Sequence, residues 1–226
     1  MKILSITTSS NVCGVSILDD NSLICKLDSN TGRTHSENLM PMIDEIFKKT
    51  NLSLSDIGLI VCDIGPGSFT GIRIGVATVK AFCDSLSIPC IGISSLEGLA
   101  YNVNSDGYIC SLLDRKHDNC YFALYESHNG VYKEIIEPQA SSIENALLKL
   151  SEFNSPITFV GDGAEIFHDQ ILNSSSNTLF MPDSSSNILD SYNVGLAGFN
   201  KYNSDSQITD VLPLYLKESD AKQIEY

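Results

Sequence analysis

The strongest constraint on this chain is the stretch Gly65-Pro66-Gly67-Ser68-Phe69-Thr70-Gly71-Ile72-Arg73-Ile74-Gly75. It follows an apolar, strand-like run, Leu59-Ile60-Val61-Cys62, and opens into a helical pattern. A strand, a glycine-dense turn and a helix start in succession describe backbone built for close approach. The visitor is either a phosphate at the helix N-terminus or another backbone segment. A P-loop needs Lys after its last Gly, where Ile72 stands. A dinucleotide fingerprint needs Gly at the sixth position, where Thr70 stands, and an acid at the right distance on the next strand. A nucleophile elbow needs Ser at the centre of Gly67-Ser68-Phe69-Thr70-Gly71, and Phe69 is there. A tight turn against another backbone is the favoured reading. Gly65, Gly67, Ser68 and Thr70 stay candidates for an anion or nucleotide contact, with Gly163 of Gly161-Asp162-Gly163 as a second element.

Hydrophobic periodicity supplies the rest of the outline. Residues 2–7 read as a strand, followed by runs at 12–18 and 22–27 joined through the hairpin turn Asp19-Asp20-Asn21. Helical spacing over 36–49 precedes a βαβ unit: strand 59–64, the glycine loop, helix 71–86 and strand 90–93. Ser94 and Ser95 cap a short helix. The polar stretch 102–107 is the expected boundary between halves covering 1–104 and 105–226, with the last segment of the second packing back on the first. Strands at 108–113, 121–126 and 131–136, a helix at 143–150 and a strand at 157–160 repeat the earlier order. Runs at 173–177 and 184–187 read as loops, and a helix over 189–202 and the segment 211–216 close the outline. Two β-β-β-α-β-α halves predict an α/β duplicated fold of the ASKHA (actin/Hsp70/sugar-kinase) type.

The two helices around the glycine loop carry more apolar surface than one sheet face needs. Leu39, Met42, Ile43 and Ile46 share a broad face of the first. In the second, Ile72, Val76, Val79, Cys83 and Leu86 form one stripe, and Ile74, Ala77, Ala81 and Phe82 fill much of the remainder. Two stripes predict burial on both sides, and Gly71 and Gly75 are small enough for a second helix to come close. Leu39, Met42, Ile43, Ile46, Gly71, Ile74, Gly75, Val76 and Val79 are therefore the expected partner interface, against the plainer alternative of a helix central in a large core.

Charge and side-chain inventory narrow the chemistry. The chain carries 28 acidic and 14 basic residues, a formal net charge of −14. Such a surface repels phosphate backbones, and the basic residues are scattered singly or in pairs, so direct, tight nucleic-acid binding is not expected. The seven cysteines form no Cys-x-x-Cys pair and several lie in apolar runs, as in a reducing compartment. With no signal-like h-region and no apolar stretch of spanning length, a cytoplasmic protein without membrane contact is expected. His35, His117, His128 and His168 are widely separated, so no metal-binding helix is expected; His35 is read as part of a helix cap. Asp114-Arg115-Lys116-His117-Asp118 reads as a solvated turn.

The glycine stretch resembles the signature of the bacterial TsaB (YeaZ) family. The likeness extends through Met1-Lys2-Ile3-Leu4, His35-Ser36-Glu37, Leu39-Met40-Pro41, Gly92-Ile93-Ser94-Ser95-Leu96, Gly161-Asp162-Gly163 and Pro213-Leu214-Tyr215-Leu216. The resemblance implies a non-catalytic scaffold for TsaD, the paralogue that transfers threonylcarbamoyl to tRNA in t6A formation. It further implies the ATPase TsaE in the same complex, self-pairing when TsaD is absent, and no cofactor of its own. It also implies that pairing runs through the two helices flanking the loop. TsaD holds its metal through a His-x-Glu-Gly-His helix start; the corresponding stretch here is Ser95-Leu96-Glu97-Gly98-Leu99, with both ligand positions lost. ASKHA catalysts also place Asp at the end of the first strand, where this chain has Thr7. The alternatives are an ATP-dependent kinase or transferase of the same superfamily and a peptidase, the latter opposed by the missing histidine pair and nucleophile elbow.

Overall fold

The computed structural model describes residues 1–30, 34–174, 184–204 and 211–216. In chain order the strands are β1 (Lys2–Thr7), β2 (Cys13–Asp19), β3 (Ser22–Ser29), β4 (Leu59–Asp63), β5 (Cys90–Ile93), β6 (Gly107–Lys116), β7 (Asn119–His128), β8 (Val131–Ser142) and β9 (Ile157–Val160). The α-helices are α1 (His35–Thr50), α2 (Phe69–Leu86), α3 (Ser95–Ala100), α4 (Ile143–Leu150), α5 (Asp162–Ile166), α6 (His168–Ser174) and α7 (Ser191–Ser204). The chain divides into two compact units, one made of Met1–Asn102 with Ile188–Leu214, the other of Val103–Asn187 with the residues from Tyr215 onward.

In the first unit a β1–β2–β3 antiparallel meander is extended by β4 and β5, both running parallel to β1, in the order β3-β2-β1-β4-β5. The central strands are apolar on both faces because both are covered. Leu4, Ile6, Val15, Ile17, Ile60 and Cys62 form one core with Leu39, Ile43 and Ile46 of α1 and Ile72, Val76 and Val79 of α2. On the other face α7 lies close enough for Gly195 to sit against Ser5 and Leu18, and Gly198 against Val61. α1 begins at a capping box in which Thr34 and Glu37 reciprocate, and ends on left-handed Asn51. α2 begins at Ser68, whose Oγ accepts from the Gly71 N–H at 3.2 Å.

The second unit repeats the order with β8-β7-β6-β9, β6 and β9 parallel; α4, α5 and α6 supply Ile143, Leu147, Leu150, Ala164 and Ile171 to its core, and Phe167 joins them from between α5 and α6.

Four details differ from the sequence outline. The helix expected over 189–202 is α7, which packs on β1, β2 and β4 of the first unit instead of belonging to a half spanning 105–226. β8 runs twelve residues, through Pro138; an edge strand with register shifts against β7 tolerates proline. α5 and α6 were not expected, and Asn173 and Ser174 of the presumed loop belong to α6, while 175–177 lie outside the described residues. The stretch Ser184–Asn187 is a 3-10 turn. The stretch Val211–Leu214 belongs to the first unit: Val211 is fully buried among the core residues that also hold Ile72, and the Leu214 N–H donates to the Ile64 carbonyl at 2.8 Å.

Candidate functional site

The glycine stretch closes on the chain's own backbone. A Cβ at Gly67 would overlap the Ser9 carbonyl, and one at Gly71 would overlap the Thr8 carbonyl. Thr8 and Ser9, in the connection from β1 to β2, therefore fill the concavity the glycines create. The contact is bonded as well as close: the Ser68 N–H donates to the Ser9 carbonyl at 2.7 Å. Gly65 has a left-handed φ of 98°, and the Leu214 carbonyl lies 3.3 Å from where its Cβ would stand. Ser68 and Thr70 are exposed at the start of α2, Ser68 serving as its cap. Gly67 and Gly71 thus admit backbone, while Gly75 makes room for the Thr8 side chain and Gly65 for that of Ile72.

Beneath the loop lies a carboxylate that the sequence reading missed. Asp63 ends β4 and is fully buried. Its Oδ1 accepts from the Gly65 N–H at 2.9 Å and the Ser95 hydroxyl at 2.6 Å, and its Oδ2 accepts from the Ser9 N–H at 3.1 Å. Ser9 Oγ and Ser95 Oγ are 2.9 Å apart. One side chain therefore clasps three segments: the β1–β2 connection, the glycine loop and the start of α3. Burial raises the Asp63 pKa above its ordinary value, outweighing the hydrogen bonds from Ser9, Ser95 and Gly65 that favour the anion. β1 and β4 pair with Ile6 opposite Cys62, so Thr7 and Asp63 end neighbouring strands. The end of the sheet that lacks a carboxylate on β1 carries one on β4. The available signal was an acid closing the apolar run Leu59-Ile60-Val61-Cys62 immediately before the glycines.

The same clasp accounts for the helix start after β5. Ser95 spends its hydroxyl on Asp63, and Leu99 is fully buried. Among the described residues, no group of three or more His, Cys, Asp or Glu side chains is placed to hold a metal ion. His35 opens α1, but the cap is Thr34; the His35 ring instead reaches the Ser10 carbonyl through Nε2 at 2.8 Å. All seven cysteines are free thiols, and burial pushes Cys62 and Cys110 well up and Cys120 to about 12.

The nine residues expected at a partner interface divide by burial. Leu39, Met42, Ile43, Ile46, Gly71, Gly75, Val76 and Val79 are buried within this chain, where they fix α1 and α2 on the sheet. Ile74 is half-exposed. The remaining apolar surface of the two helices comes from residues outside that set: Met40, Phe69 and Leu86 are 50%, 54% and 47% exposed. Phe69 carries the Arg73 guanidinium over its ring at 3.7 Å. An amphipathic stripe marks a buried face, and its two-sidedness comes from this fringe.

In the second unit Gly163 lies in α5 against Leu112 of β6, where a Cβ would come within 2.9 Å of the Leu112 carbonyl. Asp162 Oδ1 accepts from the Asp114 N–H at 3.0 Å. Partial burial raises the Asp162 pKa, and the Asp114 and Glu165 charges add to it. Gly161-Asp162-Gly163 is thus a turn that launches a short helix close to a strand.

Comparison with known proteins fits this geometry. Residues 29–222 match the family model of TsaD, described as tRNA N6-adenosine threonylcarbamoyltransferase. A ROK family protein from Streptococcus pneumoniae shares the fold at TM-score 0.54 and 10% identity, over 90% of this chain and 99% of the other. The class is that of TsaD-like proteins with an ASKHA fold. A Pseudomonas aeruginosa protein, described as similar to peptidase YeaZ, superposes at TM-score 0.80 with 21% identity, covering 96% of this chain and 99% of that one. The Bacillus subtilis tRNA threonylcarbamoyladenosine biosynthesis protein TsaB is 32% identical over 76% of this chain and 75% of its own length. The chain belongs to the TsaB family.

Proposed function

We propose that this protein acts in tRNA threonylcarbamoyladenosine formation as a non-catalytic scaffold that binds and activates TsaD, with TsaE joining the same complex and tRNA contacted through the partners. The observation that carries the reading is the state of the α3 start. Where TsaD presents metal-binding histidines, this chain has Leu99 in the core, which cannot ligate a metal, and Ser95, a poor ligand whose hydroxyl is already engaged by Asp63. Membership in the TsaB family supports the pathway, and the acidic charge of −14 supports leaving RNA to others. Among the described residues, no helix is long and apolar enough to cross a membrane.

The contact surface in this proposal is the part of α1 and α2 turned away from the sheet, to which the half-buried Ile74 and the exposed Met40, Phe69 and Leu86 contribute. The buried residues below set the spacing of the two helices. The same face would join two copies when TsaD is absent. Replacing Ile74 with Asp places a charge at a desolvated contact. Because Ile74 also packs against the core, the thermal midpoint of the variant alone serves as the folding control. At an unchanged midpoint, co-expression with the cognate TsaD should lose at least about tenfold in heterodimer yield, with threonylcarbamoyl transfer falling with it. Normal yield and normal transfer would refute the interface.

A further inference from the structure

A groove in the second unit offers a different surface. It has a volume of about 710 Å³ and runs between α4, α6 and the turn joining β6 to β7, within the range of ~300–1,000 Å³ typical of occupied clefts. Its apolar anchor is Leu148, 69% exposed on the outer side of α4. Asn145 on the same helix and Gln170 and Asn173 on α6 supply amides, while Asp118 and Glu144 bring two carboxylates to the residues lining it. Among the described residues, no Lys or Arg lines it.

The turn at one end is held in an unusual conformation. Lys116, His117 and Asp118 have φ of 69°, 54° and 57°, three consecutive non-glycine residues in the left-handed region, where each costs about 1–2 kcal/mol. The conformation is pinned from several sides. Asp114 Oδ1 accepts from the Lys116 N–H at 2.8 Å, Asn119 Nδ2 donates to the Lys116 and His117 carbonyls, and the Asp118 carbonyl accepts from the first amide of α4 at 2.9 Å. Strain maintained by this many bonds fixes Asp118 at the groove mouth before any partner arrives.

From the uncovered leucine and the unopposed carboxylates, we propose that the α4–α6 groove docks a basic amphipathic helix of another protein. An apolar side chain of the partner packs on Leu148, and a Lys or Arg reaches Asp118 and Glu144. The carboxylates exclude a nucleic-acid backbone. A second copy of this chain is disfavoured because its 14 basic residues stand singly or in pairs along the sequence, so that no single helix carries the run of cations this site would favour. The groove is lined by residues of the second unit and none of α1 or α2, so the inference stands independently of the TsaD reading.

The test uses an 18-residue Leu/Lys peptide patterned as an amphipathic helix, with its Leu/Glu counterpart as control, titrated into isotope-labelled full-length protein and followed by amide NMR. Saturable shifts confined to α4, α6 and residues 116–119 are expected, with the Leu/Lys peptide binding at least about tenfold tighter than the control. Leu148→Ser and Glu144→Lys should each weaken it about tenfold; both positions are exposed, so both variants fold. Shifts spread over the acidic surface, equal binding of both peptides, or insensitivity to both substitutions would overturn the proposal. So would concentration-dependent shifts of the same residues without peptide, which would assign the groove to a second copy.

Discussion

Removing the acceptor at Asp63 tests whether the clasp organises the glycine loop. In Asp63→Ala, the Ser9 N–H, the Gly65 N–H and the Ser95 hydroxyl lose their partner. Ser95 can turn to Ser9 Oγ, 2.9 Å away, which leaves two buried amides at about 1–3 kcal/mol each. Part of that loss is returned because a desolvated carboxyl has also gone, so about 2–4 kcal/mol is expected. Asp63→Asn is the finer probe. Its carbonyl can still serve Gly65 and Ser95, but its NH2 faces the Ser9 N–H, donor against donor, at a cost of about 1–3 kcal/mol.

The sign of the pH effect follows from the raised pKa. Because the folded-state value lies above the ordinary 3.8, the folded protein holds the Asp63 proton more tightly than the unfolded chain. The resulting stabilisation is complete below the unfolded value and is lost as pH rises through the folded one. Asparagine has no such proton, so the gap between wild type and Asp63→Asn should be widest near pH 4 and narrow toward pH 8. Urea unfolding across that range measures it, and hydrogen exchange at Ser9 and Gly65 locates it. A gap independent of pH, or an alanine variant within about 0.5 kcal/mol of wild type throughout, would refute the clasp.

Three further outcomes follow from the packing. Gly71→Ala drives a Cβ into the Thr8 carbonyl and should cost about 1–3 kcal/mol in thermal or urea unfolding, although alanine is the better helix former. Val211→Ala removes two methyl groups from a fully buried site and should cost about 2 kcal/mol, with faster exchange at the Leu214 amide as the local readout. In the native protein an aromatic disulfide reagent should label Cys25 and Cys90, the two partly exposed thiols, and reach Cys62 and Cys110 only after denaturant is added.

The sequence carried the outline of the fold because its strands and long helices are strongly periodic. β1, β2, β3 and α1 lie within two residues of the expected limits, and the order of elements repeats as expected. α5, with five residues, is shorter than any window in which a 3.6-residue period can be recognised. The glycine loop was legible as a close-approach device, but not its visitor, since Thr8 and Ser9 lie far away in sequence. Asp63 was hidden for the same reason: its partners are 54 and 32 residues distant, and an acid after an apolar run looks like a strand end. On α1 and α2 the pattern located the apolar residues without telling the face turned to the sheet from the fringe turned outward.

The placement of α7 and Val211 bears on how the chain is made. The apolar core described for the second unit comes from one stretch of the chain, between Tyr108 and Ile171, whereas the core of the first also takes in Val211. During synthesis from the N-terminus, the core that is begun first is therefore the later of these two to be filled. Until α7 emerges, the sheet face bearing Ser5, Leu18 and Val61 lacks its covering helix, leaving a nascent chain open to wrong pairing while the later unit can already close around its own core.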